Sequence, residues 1–600
     1  MVSENGGAEA GWEKFVDARF SPLVRSEVSA AGRLAMLDAE VLSVKKAYIR
    51  ALRLRNAGTS LLRLPSEVLT SILEQLKAFW PPSRRSGGHK SIVYQSGWFT
   101  TAHVCSRMRE IALNSPSLWA THVNAQDISP NFIPATLLRS RDLLIDITYK
   151  WDEAIEFERP SGRSTHPMEL WLSPALAHRT RRLCLREFIS AKRWPVTEIP
   201  REMPQLQELV IIGLPLSESC PAFELPPHLH SMSQIRRLSL RYYRPPWDSA
   251  VFSANMVYLK LGFLDKVTLA CLPTLDQFQA MLSRLPTLET LILENIHPQD
   301  CDDTDKISLP STLRLFQLHT MHENVDRALQ FTTCLRIPAQ CSTLFRMQDS
   351  TFSHIRSGGS VAPKASEALV ERCISNIFQF DDQDDSPQFR ELIFNMCTVA
   401  GFVDTQPREH WTKGWYATPN QYEIAWQGRY RDPRFESPTR HLSSIGNVPG
   451  PGFFHTNVTL EHALAITFSA NLLEIHNAVR LDYLASHATI VRRLGIIIPY
   501  PSASSLLHML AEHLSSAPSL DEGNLRAPLF PLLETLVIHV KESVLRGAMF
   551  IAESTALTNV ILARKRSDVV LPLREIIISK AAENWAVWDT LRDEVAVTFF

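Results

Sequence analysis

From Leu34 onward, apolar residues alternate at spacings of three and four: Leu34, Leu37, Val41, Val44, Tyr48 and Ala51, with Lys45, Lys46, Arg50 and Arg53 off that stripe. The period predicts an amphipathic helix over 33–55 whose apolar face pairs with a second helix or docks back onto its own protein. Asn56, Gly58, Thr59 and Ser60 break it, because Gly and Asn tolerate the backbone angles of a C-terminal cap. A second helix opens at Leu64 and Pro65, since proline suits a first helical turn. Its apolar face is Val68, Leu69, Ile72, Leu73 and Leu76. Residues 80–91 are rich in Pro, Gly, Ser and charge, which predicts a loop over 77–97. Beyond it, Val104, Met108 and Ile111 share one side of a helix that closes with Asn114 before Pro116. Leu118 and Trp119 are placed to fold back over the helix pair. A bundle of roughly 60 residues rarely buries enough apolar surface to be robust alone, so its exposed apolar face wants a partner.

Past Trp119 the pattern changes to apolar-x-x-apolar-x-apolar. It is centred on Leu209, Leu238, Leu259, Leu291 and Phe316, and returns around Leu392, Leu494, Leu536 and Ile576. The first centres are 29, 21, 32 and 25 residues apart, which brackets the roughly 20–29 residues of a leucine-rich repeat. The clearest unit is LPTLETLILENI (285–296), with Asn295 placed to hydrogen-bond a turn backbone. Residues 277–285 and 504–516 have helical periodicity, so helix and strand alternate. The fold class expected is α+β overall: N-terminal helices, then an irregular leucine-rich-repeat-like α/β solenoid over 123–600. Residues 320–471 fit worst and are expected to be an insertion. They hold the acidic run FDDQDDSP from Phe380 and an aromatic, Arg-rich stretch over 410–435 whose composition is that of a binding hot spot.

Charge and cysteine content narrow the function classes. With 62 basic and 63 acidic residues the formal charge is −1, so no whole-molecule attraction to nucleic acid or anionic membrane is expected. The nine cysteines are scattered and contain no C-x-x-C pair, which points to reduced thiols in the cytoplasm or nucleus. The first residues lack the pattern of a signal peptide, and no 18 apolar residues run together as a membrane span requires. Soluble, intracellular protein is the expectation.

The motifs of 64–119 together resemble the F-box, specifically the F-box-like proteins common in mushroom-forming fungi. Leu64, Pro65, Glu67, Val68, Leu69 and Ile72 match its opening helix. Val104, Cys105, Arg107, Arg109, Ile111 and Ala112 match its second helix, and Pro116, Leu118 and Trp119 its close. Two departures are Met108, where the family carries an aromatic, and the long 77–97 loop. The resemblance covers about a tenth of the chain. It implies an N-terminal segment over 1–62, an F-box-like domain over 63–122, and binding of a Skp-family adaptor and, through it, a cullin. The implied adaptor contacts are Leu64, Pro65, Val68, Leu69, Ile72, Leu76, Val104, Cys105, Met108, Leu118 and Trp119. The rest of the chain would hold an unidentified target protein, making the whole a substrate receptor of a ubiquitin ligase; an interaction scaffold outside ubiquitination is the alternative.

No catalytic constellation is legible. Neither H-E-x-x-H nor G-x-S-x-G occurs, and SGGHKS at Ser86 has the wrong glycine spacing for a phosphate loop. DCDDTDKISLPS at Asp300 lacks the glycine and glutamate of a calcium loop. No enzyme activity, cofactor, metal, nucleic acid or membrane partner is expected.

Overall fold

A computed structural model describes residues 5–87, 91–121, 124–150, 170–189, 199–214, 223–263, 269–302, 305–321, 324–348, 367–378, 388–395, 398–411, 440–445, 458–469, 479–498, 507, 510–511, 528–540 and 549–600. By contact density the chain divides into residues 1–184 with 202–205, and residues 185–201 with 206–600.

The smaller unit opens with helices α1 (Asn5–Val24) and α2 (Ala30–Ala57). The Ser29 hydroxyl accepts from the Gly32 N–H at 3.3 Å and starts α2 a few residues before the expected 33. Helix α3 (Ser66–Phe79) follows. The loop expected over 77–97 is corrected: α3 runs on to Phe79, and strands β1 (Ser83–Gly87) and β2 (Ser91–Gln95) pair as an antiparallel hairpin. Ile92, Val93 and Tyr94 supply β-branched and aromatic residues that suit a strand. The helix expected from Thr101 is split into a 3-10 turn (Gly97–His103), α4 (Ser106–Asn114) and the short α5 (Ser117–Ala120). Strand β3 (Ile145–Lys150) then pairs with β4 (Thr180–Ile189).

The larger unit holds β5 (Glu208–Leu214), β6 (Phe223–Glu224), β7 (Arg237–Arg241), β8 (Tyr243–Arg244), β9 (Tyr258–Gly262), β10 (Thr290–Glu294), β11 (Ile307–Ser308), β12 (Leu315–Met321), β13 (Leu335–Arg336) and β14 (Ser342–Gln348). It continues with β15 (Glu391–Asn395), β16 (Thr398–Phe402), β17 (Arg440–Ile445), β18 (Ala465–Ser469), β19 (Arg493–Ile498), β20 (Thr535–Val540), β21 (Glu575–Ile578) and β22 (Ala596–Phe599). Its main sheet runs β5-β7-β9-β10-β12-β14-β17-β16-β15-β18-β19-β20-β21-β22. Neighbours are parallel except where β16 meets β15 and β17. The short pairs β6–β8 and β11–β13 lie apart from it.

The expected strands are present at every triad, and register explains why the triads repeat. Leu209, Leu238, Leu259, Leu291 and Phe316 stand in line across neighbouring strands, and each is fully buried. A second ladder links Leu392, Ile466, Leu494, Leu536 and Ile576. Helices Leu275–Ser283 and Val325–Cys334 meet where Phe278 and Phe331 make an edge-to-face contact with ring centres 5.4 Å apart. Helix Glu367–Phe378 is tied to the second of these by Asn376, whose Nδ2 donates to the Thr332 and Leu335 carbonyls at 2.8 Å.

The expected class is therefore corrected. Helices accompany one large, mostly parallel sheet, which is an α/β arrangement rather than α+β with an irregular solenoid. The finding that overturns the solenoid is strand order: β15, β16 and β17 are reversed in the sheet and pair antiparallel, so they do not stack as successive repeats. Residues 320–471, expected as an insertion, supply β14 to β18. The acidic run from Phe380 through Pro387, and the 410–435 stretch beyond Trp411, lie outside the described residues, as does most of the helix expected over 504–516. Among the described residues no helix is long and apolar enough to cross a membrane.

On the opposite face of the sheet, Glu391 of β15 is fully buried and pairs with Arg493 of β19 at 2.5 Å. Residues 403–411 cover them. The Gln406 N–H donates to Glu391 Oε2 at 2.7 Å, the Trp411 ring stacks on the Arg493 guanidinium at 4.0 Å, and Arg408 pairs with Glu575. Burial pushes the Glu391 carboxyl up and the Arg493 guanidinium down, against their mutual attraction. Such a pair is costly to break from one side because the survivor stays charged and dry. Arg493→Met is expected to destabilise the full-length chain by about 3–5 kcal/mol, and the double change with Glu391→Met by much less. Denaturant unfolding of both variants checks this; equal losses would contradict it.

Candidate docking site

The helical module around α3 is built inward from an aromatic cluster. Leu69 and Leu73 on α3, and Met108, Ile111 and Ala112 on α4, are buried beside Leu118 and Trp119. The Trp119 ring stacks on Phe99 at 5.1 Å, lies 5.1 Å from Trp98, and carries the Arg139 guanidinium 4.5 Å above it. Its indole N–H donates to the Ala112 carbonyl at 2.7 Å, so the polar handle of a fully buried ring is satisfied. Four expected adaptor contacts are thereby reassigned. Leu69, Met108, Leu118 and Trp119 form this core, and a partner cannot reach them without unfolding it. Met108 stands in that core, where a flexible thioether fills an irregular gap readily.

The outward side of α3 is different. Pro65, Val68, Ile72 and Phe79 follow one another at spacings of three, four and seven, which places them on one side of a helix with 3.6 residues per turn. All four are exposed, Phe79 at 85%. Leu64 and Leu76 flank them half-buried, and Val104, just before α4, is 71% exposed. The helix is thus apolar on two sides, with only one used internally. Cys105 is half-buried and structural, since its Sγ accepts from the Met108 N–H at 3.4 Å and caps α4. The Leu64 carbonyl accepts from Arg107 Nη2 at 2.7 Å, fixing the start of α3 to α4. The contacts expected from sequence omit Phe79, because composition places a loop from 77, although this residue continues the 65, 68, 72 spacing.

The hairpin that lengthens this module is locked into it. Arg84 on β1 is buried, hydrogen-bonds Gln126 and pairs with Asp127 at 3.7 Å. At the hairpin's end, Gly97 takes φ +54 and lies so close to Pro81 that an added Cβ would sit 2.4 Å from its carbonyl oxygen. The Trp98 N–H then reaches the Trp80 carbonyl at 2.8 Å.

Lys77 occupies the third inward position of α3, after Leu69 and Leu73. Its Nζ donates to the Leu118 carbonyl at 3.0 Å and to Thr121 Oγ1 at 2.5 Å. Burial lowers its amine to about 8, opposed by the nearby charges of Glu74 and Asp146.

Among the described residues no group of three His, Cys, Asp or Glu side chains is arranged to hold a metal. An open cleft of about 440 Å³ is lined by Gln279, Lys306 and Ser308 and gathers no acid–base pair. The seven described cysteines are free thiols. No protein-family model matches the chain, and no curated protein matches it.

This geometry is open to test at two positions. Gly97→Ala forces a non-glycine residue to positive φ against Pro81 and is expected to destabilise the chain by about 1–3 kcal/mol in chemical denaturation; an unchanged midpoint would contradict it. For Lys77, the folded state holds fewer protons than the unfolded state between pH about 8 and the ordinary value of 10.5, so stability rises with pH across that window. The melting temperature of the full-length chain should therefore gain on that of Lys77→Met between pH 8 and pH 10.5. A pH-independent difference between the two would show that the amine is not destabilised by burial.

Proposed function

We propose that the chain is the substrate-recognition subunit of a Skp-cullin-F-box ubiquitin ligase. The helical module docks the adaptor through Pro65, Val68, Ile72, Phe79 and Val104, and the larger unit holds a target protein. The observation that carries this reading is the second apolar side of α3: a helix whose inner side already fills a core still presents a contiguous apolar stripe to water. The resemblance of 64–119 to the F-box supplies the kind of partner that such a stripe receives.

The larger unit suits the second role. Parallel sheets normally have both faces covered, yet the face of β7 to β10 that points away from the leucine ladder remains accessible. Arg237 and Arg241 are exposed there, Lys260 pairs with Glu294 at 2.6 Å, and Arg237 lies 4.5 Å over the Tyr258 ring. Arg and Tyr are the side chains that dominate binding energy at protein interfaces. The ligase acts by proximity, holding target lysines near a ubiquitin-loaded partner, so no residue here has to transfer a proton. Free thiols agree with work in the cytoplasm or nucleus.

The test is co-purification of the full-length chain with a Skp-family adaptor and cullin, beside a Val68→Asp, Ile72→Asp variant. Both positions are exposed, so the variant keeps its core. Recovery of both partners, with adaptor affinity in the variant at least about tenfold weaker as for hot-spot residues, is expected. Undiminished binding by the variant, or no binding by the unaltered chain, would sink the assignment; adaptor without cullin would instead favour an interaction scaffold outside ubiquitination.

A further inference from the structure

The α1–α2 hairpin has no core of its own. No residue of α2 is buried over its 28 residues, and none of α1 between 7 and 24 is. The two helices are held by an Arg19–Glu40 ion pair at 2.6 Å and by half-buried Phe20, Leu23, Leu37 and Val44. Isolated helices gain little stability from propensity alone and depend on packing an apolar side. Yet more than half of the exposed large apolar side chains among the described residues lie between Trp12 and Leu54.

Seven of them lie on α2, five in one stripe and Met36 and Leu54 on its other side. On α2, Leu34, Val41 and Tyr48 recur every seven residues beside the α1-facing positions, with Leu42 and Ile49 next to them. On α1, Trp12 packs edge-to-face on Phe15 with ring centres 5.8 Å apart. Trp12, Val41 and Tyr48 are 62%, 54% and 63% exposed.

We propose that this hairpin is half of a four-helix bundle completed by a second copy of the chain. Antiparallel helices packed through a shared apolar seam are what such a bundle is assembled from, and a twofold axis makes the α2 stripe complementary to itself. The area suffices. Helices of 20 and 28 residues are about 30 and 42 Å long at 1.5 Å per residue. Side by side at about 10 Å they offer roughly 600 Å² per copy, which reaches the lower bound of about 1,200 Å² in total for a specific interface. Charge agrees: α1 carries Glu9, Glu13 and Asp17 against two basic residues, whereas α2 carries six basic residues against Asp38 and Glu40. Helices alternating around the bundle set each α1 against the oppositely charged α2 of the other copy.

Light scattering of the eluting full-length chain, at about 50 μM so that micromolar association is populated, tests this. A mass of twice 67.9 kDa is expected. The Val41→Glu, Tyr48→Glu variant, altered only at exposed positions, should run as the monomer with its main thermal unfolding transition unchanged, while Ala39→Glu, off the stripe, should stay dimeric. A monomeric unaltered chain would overturn the proposal, leaving the face to another protein's helix. A dimer that survives Val41→Glu, Tyr48→Glu would overturn it equally.

Discussion

Trp119 is the constraint on which the helical module depends. Its ring is enclosed by Trp98, Phe99 and Phe132, capped by the Arg139 guanidinium, and anchored through its N–H to α4. That cluster fixes α4, and α3 must then turn Leu69, Leu73 and Lys77 inward to close the core. Once that rotation about the α3 axis is set, Val68, Ile72 and Phe79 have nowhere to go but outward. The exposed apolar stripe is therefore a geometric consequence of the packing around one indole, and the long hairpin leaves it intact because Arg84 and Gly97 bind the extra residues elsewhere in the module.

In the larger unit the equivalent constraint is register. Each strand presents buried apolar residues to the same side, and parallel pairing keeps them in rows. The turns at the strand ends are tied by hydroxyl and amide groups. Thr287 Oγ1 donates to the Met256 carbonyl at 3.1 Å, Thr312 Oγ1 to that of Leu288 at 2.9 Å, and Asn295, at φ 55, to that of Phe263 at 3.1 Å. Arg284 and Arg564 act in the same way, with guanidinium groups aimed at backbone carbonyls. The buried Glu391–Arg493 pair does not follow this pattern. It ties β15 and β19 to residues 403–411 through Gln406 and Trp411.

How much could be read from the sequence followed from how local the signal was. The leucine triads located nine strands because burial against helices imposes one repeated spacing, and the 65, 68, 72 spacing marked α3. Whether an apolar helix residue faces inward or outward is not local. Leu69 and Val68 are adjacent and equally apolar, and only the tertiary position of Trp119 separates them. Strands β14, β16 and β17 escaped because their buried positions include Thr343, Ala400 and other residues outside the leucine pattern. The α/β class was misjudged for a related reason: the triads say nothing about strand order, and the reversal at β15 to β17 is set by long-range pairing.

Helix α3 carries two apolar faces, one closing a core and one left exposed, and the proposed docking of an adaptor rests on that division. Amide hydrogen exchange of the full-length chain, with and without a Skp-family adaptor, tests it most directly. New protection is predicted over 64–80 and around Val104, with exchange in β7 to β10 unchanged. Protection confined to the larger unit, or none over α3, would contradict it.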